Sequence, residues 1–507
     1  MRCSVLDLGS NSFHVLVADL DGVSLAPVER EREMLHLGRV VARHGHVPDA
    51  EVARATATVA HLSELARRTG TEEHLAVATA ALRDAANGEA VIAALSEAAG
   101  TPVRVLPGEE EARLAYLGVR ASVAIAGGPV LVLDLGGGSL ELAAGAGADV
   151  AWGASVPLGV SRLSARVDHD PPRGREVRDL HDEVDRQLAP HLAAVRDLAP
   201  TATVAVGGTV RALARVVAAR DHRWLPASIN QLTLTTDELL AVRDELVTLD
   251  AEGRLRVPGM KRRRVDHLHL AAVVLGRALE ILDLDHVVIS DWGLREGLLL
   301  DAHGVAAPPG PRELRSAEVA RLRATFVTDP DHLDHVARLA DRLFEELAAM
   351  HGLGVGDREL LAHAARLHDV GETLALRRHH LHGAYLVTNA ELRGFSPDEV
   401  ALLSTLVRYH RSRGIDRDHP PFAALPAALR DRARRLLPLL HLAVQLDRTR
   451  DRSVDDVAVE HVDGDVHVRT LGDGVPLALL DEERVVRLFD DAYGVTLTLA
   501  AGTRVAG

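Results

Sequence analysis

The first 300 residues alternate between short apolar runs and stretches with the 3.6-residue period of an amphipathic helix. Residues 5–17, VLDLGSNSFHVLV, predict two strands around a tight polar turn, and residues 130–145, VLVLDLGGGSLELAAG, predict a second such hairpin. The pattern also predicts a long helix over 49–70, and strand-to-helix units over 74–85, 101–119, 201–216 and 286–301. This alternation indicates an α/β region that ends near residue 304.

The pattern changes after a Pro/Gly-rich segment, GVAAPPGPREL, at residues 304–314. From 313 to about 450 the apolar positions keep a helical period, which predicts an all-α domain. Residues 455–507 return to short alternating runs around Asp463-Gly464, with one helix predicted over 481–493. The chain is therefore expected to end in a small α+β tail.

The composition is that of an ordinary globular protein: 47% of the 507 residues are hydrophobic and 26% are charged. This length predicts roughly three domains. Cys3 is the single cysteine, which excludes an internal disulfide and fits a reducing compartment. The most apolar run, 268–284, carries Arg277 and Glu280, and the first strand leaves no room for a signal peptide. These features predict a cytoplasmic protein without a membrane partner.

The formal net charge of −15 argues against general nucleic-acid binding, which requires a basic surface. The positive charge is nonetheless almost entirely arginine, because Lys261 is the only lysine. Arginine suits a bidentate grip on phosphate. Coding bias explains the overall excess equally well, so the local positions of the arginines matter more than their number.

Three turns, at residues 7–12, 134–139 and 207–209, combine glycine with hydroxyl or amide side chains directly after predicted strands. Glycine lets successive backbone N–H groups point toward a ligand, and Ser and Thr hydroxyls add donors. Such turns bind anions, above all phosphate, although a single one can also be a plain bend. The predicted phosphate-binding residues are Ser10, Asn11, Ser12, Gly137, Gly138, Ser139, Gly208 and Thr209.

Carboxylates stand at the two hairpin turns, where they would hold a divalent cation against those phosphates. The predicted metal ligands are Asp7, Asp134 and Glu141. No Gly-Lys-Ser/Thr sequence is present, so the turns are not a Walker A motif. A strand follows each of the first two turns, so neither is a dinucleotide-binding fingerprint.

The paired hairpins resemble the actin, sugar kinase and Hsp70 superfamily (ASKHA), in which two ribonuclease H-like subdomains clamp phosphates. More closely, the chain resembles the exopolyphosphatase and guanosine pentaphosphate phosphohydrolase (Ppx/GppA) family. Seven blocks in family order across about 1–304 carry this resemblance: DLGSNSFHVLV, ATAALRDA, PGEEEARLAYLGV, LDLGGGSLEL, VGGTVRALA, PGMKRRRVDHL and SDWGLREGLLLD.

The resemblance implies an α/β fold of two actin-like subdomains, an all-α HD-like domain and a small α+β C-terminal domain. The expected boundaries are 1–122, 123–304, 313–452 and 455–507. It also implies a homodimer.

The implied activity is a Mg²⁺-dependent hydrolase that removes terminal orthophosphate from inorganic polyphosphate. Spacing alone cannot choose among Glu109, Glu110 and Glu111 at the start of one helix. The resemblance assigns the general base to Glu111 and places Arg83 near the scissile phosphate. Two alternatives stay open: hydrolysis of the 5′-phosphate of guanosine pentaphosphate, and a weakly active polyphosphate or alarmone sensor. A small kinase is disfavoured because no acceptor-binding region is evident.

A path for a longer phosphate chain is expected along basic residues. Arg264 in the KRRR run is one candidate, with a solvated loop as the alternative. Arg295, in LREG, is a second candidate, but a structural ion pair with Glu296 is the favoured interpretation. In the helical region, VRYHR (407–411) resembles a family segment that binds polyphosphate through Arg408, His410 and Arg411.

The helical region also resembles the metal-dependent HD phosphohydrolase domain, through the His-Asp pair in RLHDVG (366–371) and the order of nearby histidines. Imidazole and carboxylate ligands from several helices suit Mn²⁺, Fe²⁺ or Zn²⁺. The implied ligand set is His335, His368, Asp369, His382, His410 and Asp447. The competing interpretation is coincidence, since the chain has 27 histidines.

Overall fold

The computed structural model describes residues 1–21, 25–306, 310–327, 329–462, 464–472 and 480–502. Gly22, Asp463 and linker residues 307–309, where turns and a linker were predicted, lie outside these residues. The chain divides into two compact units: residues 1–222 with 229–314, and residues 223–228 with 315–507. In the described part of the chain, no helix is both long and apolar enough to cross a membrane.

The first sheet has the order β3-β2-β1-β4-β5, antiparallel in its first three strands and parallel in the rest. Its strands are β1 (Arg2–Leu8), β2 (Ser12–Leu20), β3 (Leu25–Met34), β4 (Glu73–Ala78) and β5 (Val103–Val105). The helices with it are α1 (Leu37–His44), α2 (Asp49–Arg68), α3 (Ala80–Asp84), α4 (Gly88–Ala99) and α5 (Gly108–Arg120).

The second sheet has the order β10-β11-β9-β6-β7-β8 and repeats this plan of an antiparallel meander followed by two parallel strands, with an additional antiparallel strand, β10, at its edge. Its strands are β6 (Val130–Leu135), β7 (Leu140–Ala146), β8 (Asp149–Val156), β9 (Ala202–Val206), β10 (Thr233–Thr235) and β11 (His286–Ile289). The helices here are α6 (Val160–Leu163), α7 (Gly174–Leu188), α8 (Leu192–Leu198), α9 (Gly208–Arg220), α10 (Thr236–Leu246), α11 (Ala251–Leu255), α12 (Leu268–Ile281) and α13 (Leu294–Ala302).

The duplicated sheets agree with the actin-like plan, and the predicted hairpins and strand-to-helix units of the first 304 residues are confirmed. Strands β1, β2, β6 and β7 bury their Val, Leu and Ala side chains on both faces, whereas the edge strand β3 is largely exposed. Helix α5 contributes to two hydrophobic clusters. Ala112 and Tyr116 pack with the second sheet, and Leu114 packs with β1 and β2 of the first. The N-terminus of α5 is thereby fixed between the two sheets.

Helices α5 and α13 cross with backbone-to-backbone contact. A Cβ on Gly297 would collide with the carbonyl oxygen of Leu114, and one on Gly118 would collide with the carbonyl oxygen of Gly293. Only glycine allows this approach. The crossing sets the position of α5 relative to α13.

The second unit is built from helices and a small sheet around one hydrophobic core. Its helices are α14 (Pro311–Phe326, beginning in the first unit), α15 (Pro330–Glu346), α16 (Ala348–His351), α17 (Val355–Leu367), α18 (His379–Asn389), α19 (Pro397–Tyr409), α20 (Pro420–Ala423), α21 (Ala427–Leu446) and α22 (Glu482–Tyr493). Its strands, in the order β12-β13-β14, are β12 (Asp456–Val462), β13 (Asp465–Leu471) and β14 (Leu497–Gly502).

The predicted helices and the terminal strands are confirmed, but a separate small C-terminal domain is not. Val466 of β13 and Phe489 of α22 belong to the same buried cluster as Leu361 of α17 and Leu440 of α21. The strands therefore complete the helical core. The four domain boundaries stay predictions.

Candidate active site

The two hairpins place their polar residues at equivalent positions of the strand register. Asp7 is paired across β1 and β2 with His14, and Asp134 is paired across β6 and β7 with Glu141. Directly opposed residues of an antiparallel pair project from the same face of the sheet. Each hairpin therefore presents a carboxylate and a second titratable group side by side.

The turns of the two hairpins are in contact. A Cβ on Gly138 would lie 2.5 Å from Ser10 Oγ, and one on Gly137 would lie 2.9 Å from Asn11 Cγ. The hydroxyl of Ser161, beyond the second hairpin, donates to Asn11 Oδ1. Glycine at 137 and 138 is thus required for the turns to face each other, as the predicted phosphate site needs.

A cavity of about 180 Å³ opens between these turns. The third turn closes it, with Gly207 at φ +117°, where a Cβ would meet the carbonyl oxygen of Leu135 at 2.7 Å. Of the residues predicted from sequence, the cavity is lined by Asp7, Ser10, Asn11, Ser12, Glu111, Asp134, Gly137, Gly138, Ser139, Glu141, Gly208, Thr209 and Arg264.

Glu111 reaches this cavity from the first turn of α5. Its Oε1 accepts a hydrogen bond from Arg83 Nη1 at 2.5 Å, and the same Nη1 also donates to the carbonyl of Leu106 at 2.7 Å. Arg83 is outside the cavity lining. The structure therefore places it as the partner of Glu111 and not directly in the cavity.

Glu109 and Glu110 do not line the cavity. Glu109 is exposed, and Glu110 pairs with Arg104 at 2.6 Å on the surface. Of the three successive carboxylates, the geometry favours Glu111.

Burial and mutual repulsion make the cavity carboxylates difficult to ionise. Burial raises the pKa of Asp7 to about 6, and burial together with Asp7 raises the pKa of Asp134 to about 6. The pKa of Glu141 is raised by burial and Asp134. The pKa of Glu111 is raised by burial and Glu141, against a lowering by Arg83. Four carboxylates that disfavour each other's charge form a natural site for a cation.

His14 is a residue that the sequence reasoning missed. Arg295 Nη1 lies 3.0 Å from its Nδ1, and its Nε2 lies 2.7 Å from Ser12 Oγ. Burial, then Arg295, lowers the pKa of His14 well below its usual range, so the ring is neutral. Since the guanidinium can only donate, Nδ1 accepts and Nε2–H donates to Ser12. The Ser12 hydroxyl proton is then left to donate elsewhere.

Arg295 lines this cavity and contacts His14, which supports the alternative of a cavity residue over the favoured ion pair with Glu296. Glu296 instead accepts a hydrogen bond from the backbone N–H of Gly293 at 3.1 Å and caps α13. The Glu296 carboxylate is thus hydrogen-bonded to the first turn of α13, and the Arg295 guanidinium contacts His14.

A second cavity, of about 230 Å³, shares Arg32, Gly208, Arg211, Arg264 and Asp291 with the first. Six cationic side chains line it: Arg32, Arg211, Arg215, Lys261, Arg263 and Arg264. Burial, then the neighbouring arginines, lowers the pKa of Arg264 to about 10. The same causes lower the pKa of Lys261. The KRRR run thus contributes to a basic cavity, which a solvated loop would not form.

Two sequence-family models match the chain. The Ppx/GppA phosphatase family matches residues 16–304, more than half of the protein, and Ppx/GppA phosphatase, domain III matches residues 314–472. The chain belongs to the Ppx/GppA phosphatase family.

Relatives and solved structures agree with this assignment. An uncharacterized protein of Streptomyces coelicolor is 34% identical over 337 residues, covering 63% of this chain and 100% of the relative. Exopolyphosphatase 1 of Mycobacterium tuberculosis is 33% identical over 303 residues, covering 59% and 88%. The structure of an exopolyphosphatase from Cytophaga hutchinsonii superposes with a TM-score of 0.56 at 25% identity, covering 61% of this chain and 99% of that one. The Aquifex aeolicus family member gives 0.52 at 28% identity, covering 60% and 97%.

In the second unit of this Ppx/GppA phosphatase, Asp369 lies among histidines, but not all of the predicted ones. His368 and His410 contact Asp369, with Nε2 3.3 Å and 3.7 Å from its carboxylate. His332 and His379 occupy the places that sequence assigned to His335 and His382. Each of the two lies three residues earlier on its helix. Residues three apart share a helix face, so the spacing pattern could not separate them.

His335 and His382 lie beside the cluster. His335 Nδ1 is 2.5 Å from Arg338, and His382 is half-buried on α18. Asp447 accepts from His332 Nδ1 at 2.7 Å and from the backbone N–H of Arg452. The structure thus places Asp447 behind a histidine, whereas the prediction made it a direct metal ligand.

The three residues of the second unit that were predicted to bind polyphosphate lie in different environments. The Arg408 guanidinium lies over the Tyr409 ring at 5.6 Å, and Arg411 is exposed. His410 is fully buried, and its Nε2 faces Asp369. The prediction that His410 contacts polyphosphate at the surface is therefore wrong.

Proposed function

We propose that this protein is a Mg²⁺-dependent exopolyphosphatase that hydrolyses the terminal phosphoanhydride bond of inorganic polyphosphate and releases orthophosphate. One observation carries the proposal. Two facing glycine-serine turns line the same cavity as Asp7, Glu111, Asp134 and Glu141, and this cavity adjoins a second one lined by six cationic side chains. Similarity to proteins named exopolyphosphatase supports the same substrate.

The residues present fit a hard divalent cation. Asp7, Asp134 and Glu141 offer only oxygen atoms, which Mg²⁺ prefers. Burial raises the pKa of Asp7 and of Asp134 to about 6, and the charge of Asp7 adds to the rise at Asp134. A cation bound there would neutralise both the carboxylates and the phosphoryl oxygens, which is the chemistry that Mg²⁺ supplies in phosphoryl transfer.

The turns would hold the terminal phosphoryl group. The backbone N–H groups of Gly137 and Gly138 and the hydroxyl of Ser12 line one cavity and would donate to a phosphoryl group there. Because His14 occupies one lone pair of Ser12, the Ser12 hydroxyl proton is directed toward the ligand. This grip orients the phosphorus for in-line attack.

Glu111 would act as the general base. The attacking water forms a new P–O bond, its proton passes to the Glu111 carboxylate, and the bridging P–O bond breaks to release orthophosphate and the shortened chain. A cation bound at Glu141 would neutralise its charge and so remove one cause of the raised pKa of Glu111. The 2.5 Å contact with Arg83 also favours the ionised form of Glu111. The base form is therefore populated when the cation is bound.

The basic cavity would hold phosphates beyond the scissile bond. Burial, and then repulsion by neighbouring arginines, lowers the pKa of Arg32 and Arg264, and a polyanion would relieve that repulsion. The 5′-triphosphate of guanosine pentaphosphate carries the same charge pattern over a shorter length, which keeps it as the second candidate substrate.

The experiment is orthophosphate release from long polyphosphate and from guanosine pentaphosphate, with Mg²⁺, by the native protein and Glu111→Gln. A lost general base lowers kcat about 10²- to 10⁴-fold. The matched control is Glu109→Gln, an exposed carboxylate two residues earlier on the same helix, which should keep native rates. Equal release by Glu111→Gln and the native protein would remove Glu111 from this role, and no release from either substrate would refute the proposal.

A further inference from the structure

We propose that the second unit binds a pair of divalent transition-metal ions bridged by the Asp369 carboxylate. Two histidines complete each half of this site: His332 and His368 on one side, His379 and His410 on the other. The inference is independent of the cavity in the first unit and of its proposed function.

The two oxygens of Asp369 each face two imidazole nitrogens. Oδ2 is 3.6 Å from His332 Nε2 and 3.3 Å from His368 Nε2. Oδ1 is 3.1 Å from His379 Nε2 and 3.7 Å from His410 Nε2. Ligand atoms about 2.1 Å from one tetrahedral ion lie roughly 3.4 Å apart, which matches these separations. The donor atoms therefore form two sets of three that share a carboxylate.

Hydrogen bonds fix the tautomer of each ring so that a lone pair faces Asp369. Nδ1 of His368, His379 and His410 lies 2.7 Å, 3.0 Å and 2.7 Å from the carbonyl oxygen three residues earlier. A carbonyl can only accept, so Nδ1 carries the hydrogen and Nε2 of the neutral ring has a lone pair. His332 is held in the same way, because its Nδ1 is 2.7 Å from the Asp447 carboxylate. Metal-binding histidines are oriented by such outer contacts.

The imidazole Nε2 atoms that face Asp369 are buried. Within the described residues, Nε2 of His368, His379 and His410 has no hydrogen-bond partner. A buried polar atom without a partner destabilises the fold, so three such atoms at one point indicate that a ligand satisfies them. Imidazole nitrogens with one carboxylate favour Mn²⁺, Fe²⁺, Co²⁺ or Zn²⁺ over Mg²⁺.

Arg450 competes with the proposed ions for the Asp369 carboxylate. Its Nη2 lies 2.8 Å from Asp369 Oδ2 and 2.6 Å from Glu372 Oε1, and so brings a positive charge to the bridging carboxylate. An ion at Oδ2 shares or displaces this contact. Removing the guanidinium by Arg450→Ala should therefore raise the affinity for the ion bound by His332 and His368.

The test is the metal content of the full-length, untagged protein after chelation and re-equilibration with Mn²⁺, Co²⁺ or Zn²⁺, measured by plasma mass spectrometry. With millimolar Mg²⁺ present to occupy the carboxylates of the first unit, we expect two transition-metal ions per native chain, none for Asp369→Ala and one for the double variant His379→Ala/His410→Ala. The visible bands of bound Co²⁺ and the magnetic coupling of a Mn²⁺ pair report the shared carboxylate without any assay of activity.

Matched controls separate this site from the rest of the protein. His382→Ala changes a histidine one turn from His379, and Asp149→Asn changes an exposed residue of the first unit, so both should keep two ions. Circular dichroism establishes that each variant is folded. A folded native protein that retains no ion at micromolar free metal would overturn the proposal, as would equal loss of metal in His382→Ala and in the double variant.

Discussion

Single side chains in the cavity are oriented by neighbours that do not themselves face the phosphate site. Arg83 lowers the pKa of Glu111 against burial and the charge of Glu141. Removing the guanidinium therefore raises the pKa of the proposed base. We expect Arg83→Gln to move the acidic limb of the kcat–pH profile upward by about one pH unit, since one pKa unit corresponds to about 1.4 kcal/mol.

The control for this variant is Arg104→Gln. Arg104 pairs with Glu110 at 2.6 Å on the exposed side of the same helix, so its loss should leave the profile in place. A rate that falls equally at every pH in Arg83→Gln would show that Arg83 acts on binding and not on the ionisation of Glu111.

His14 gives a second residue-scale prediction. Its ring joins Arg295 to Ser12, so His14→Ala releases both partners. The loss of one oriented hydrogen bond, about 1 kcal/mol, should lower kcat roughly five- to tenfold. Steady-state orthophosphate release measures this. A variant in which KM changes while kcat is native would place His14 in ground-state binding alone.

At the scale of elements, the position of Glu111 depends on the crossing of α5 with α13. A methyl group at residue 297 has no room against the carbonyl of Leu114, so Gly297→Ala must push the helices apart. Overpacking of this kind lowers the free energy of unfolding by about 1–3 kcal/mol, and by more where the added group collides with backbone atoms. We expect the unfolding temperature to fall by several degrees, and kcat to fall with it because the base moves.

Gly356→Ala is the control, since a Cβ there meets no atom within 4 Å in α17. Alanine is the better helix former by about 0.8–1 kcal/mol, so this variant should be native-like or more stable. A Gly297→Ala protein as stable as Gly356→Ala would show that the crossing is not rigid.

The elements themselves were largely predictable because each hairpin and helix is coded by local period and turn residues. The strand register of the two predicted hairpins could also have identified His14, because His14 lies opposite Asp7 just as Glu141 lies opposite Asp134. His332 and His379 could not have been chosen over His335 and His382, because both members of each pair lie on the same helix face. That choice is made by the packing of α15 and α18 against the loop that carries Asp369, which no local pattern encodes.

At the scale of the whole molecule, the cavity carboxylates reduce the stability of the metal-free protein. The pKa values of Asp7 and Asp134 rise in the folded state to about 6 from 3.8. A raised acid pKa favours folding fully below the unfolded value, and that contribution is lost as pH rises through about 6. With chelator present, the unfolding temperature should therefore fall between about pH 4 and pH 7 through these groups.

Mg²⁺ should reverse that loss, because a cation binds the ionised carboxylates and not the protonated ones. We expect the rise in unfolding temperature on adding Mg²⁺ to be small at pH 5 and several degrees at pH 8. Asp134→Asn removes the repulsion, so it should be more stable than the native chain in chelator at pH 8 and should respond weakly to Mg²⁺. Asp149→Asn, an exposed change on the same sheet, should behave as native. Differential scanning calorimetry decides the matter: an Asp134→Asn protein that is less stable in chelator and still responds fully to Mg²⁺ would mean that the carboxylates hold the fold together and do not serve as a cation site.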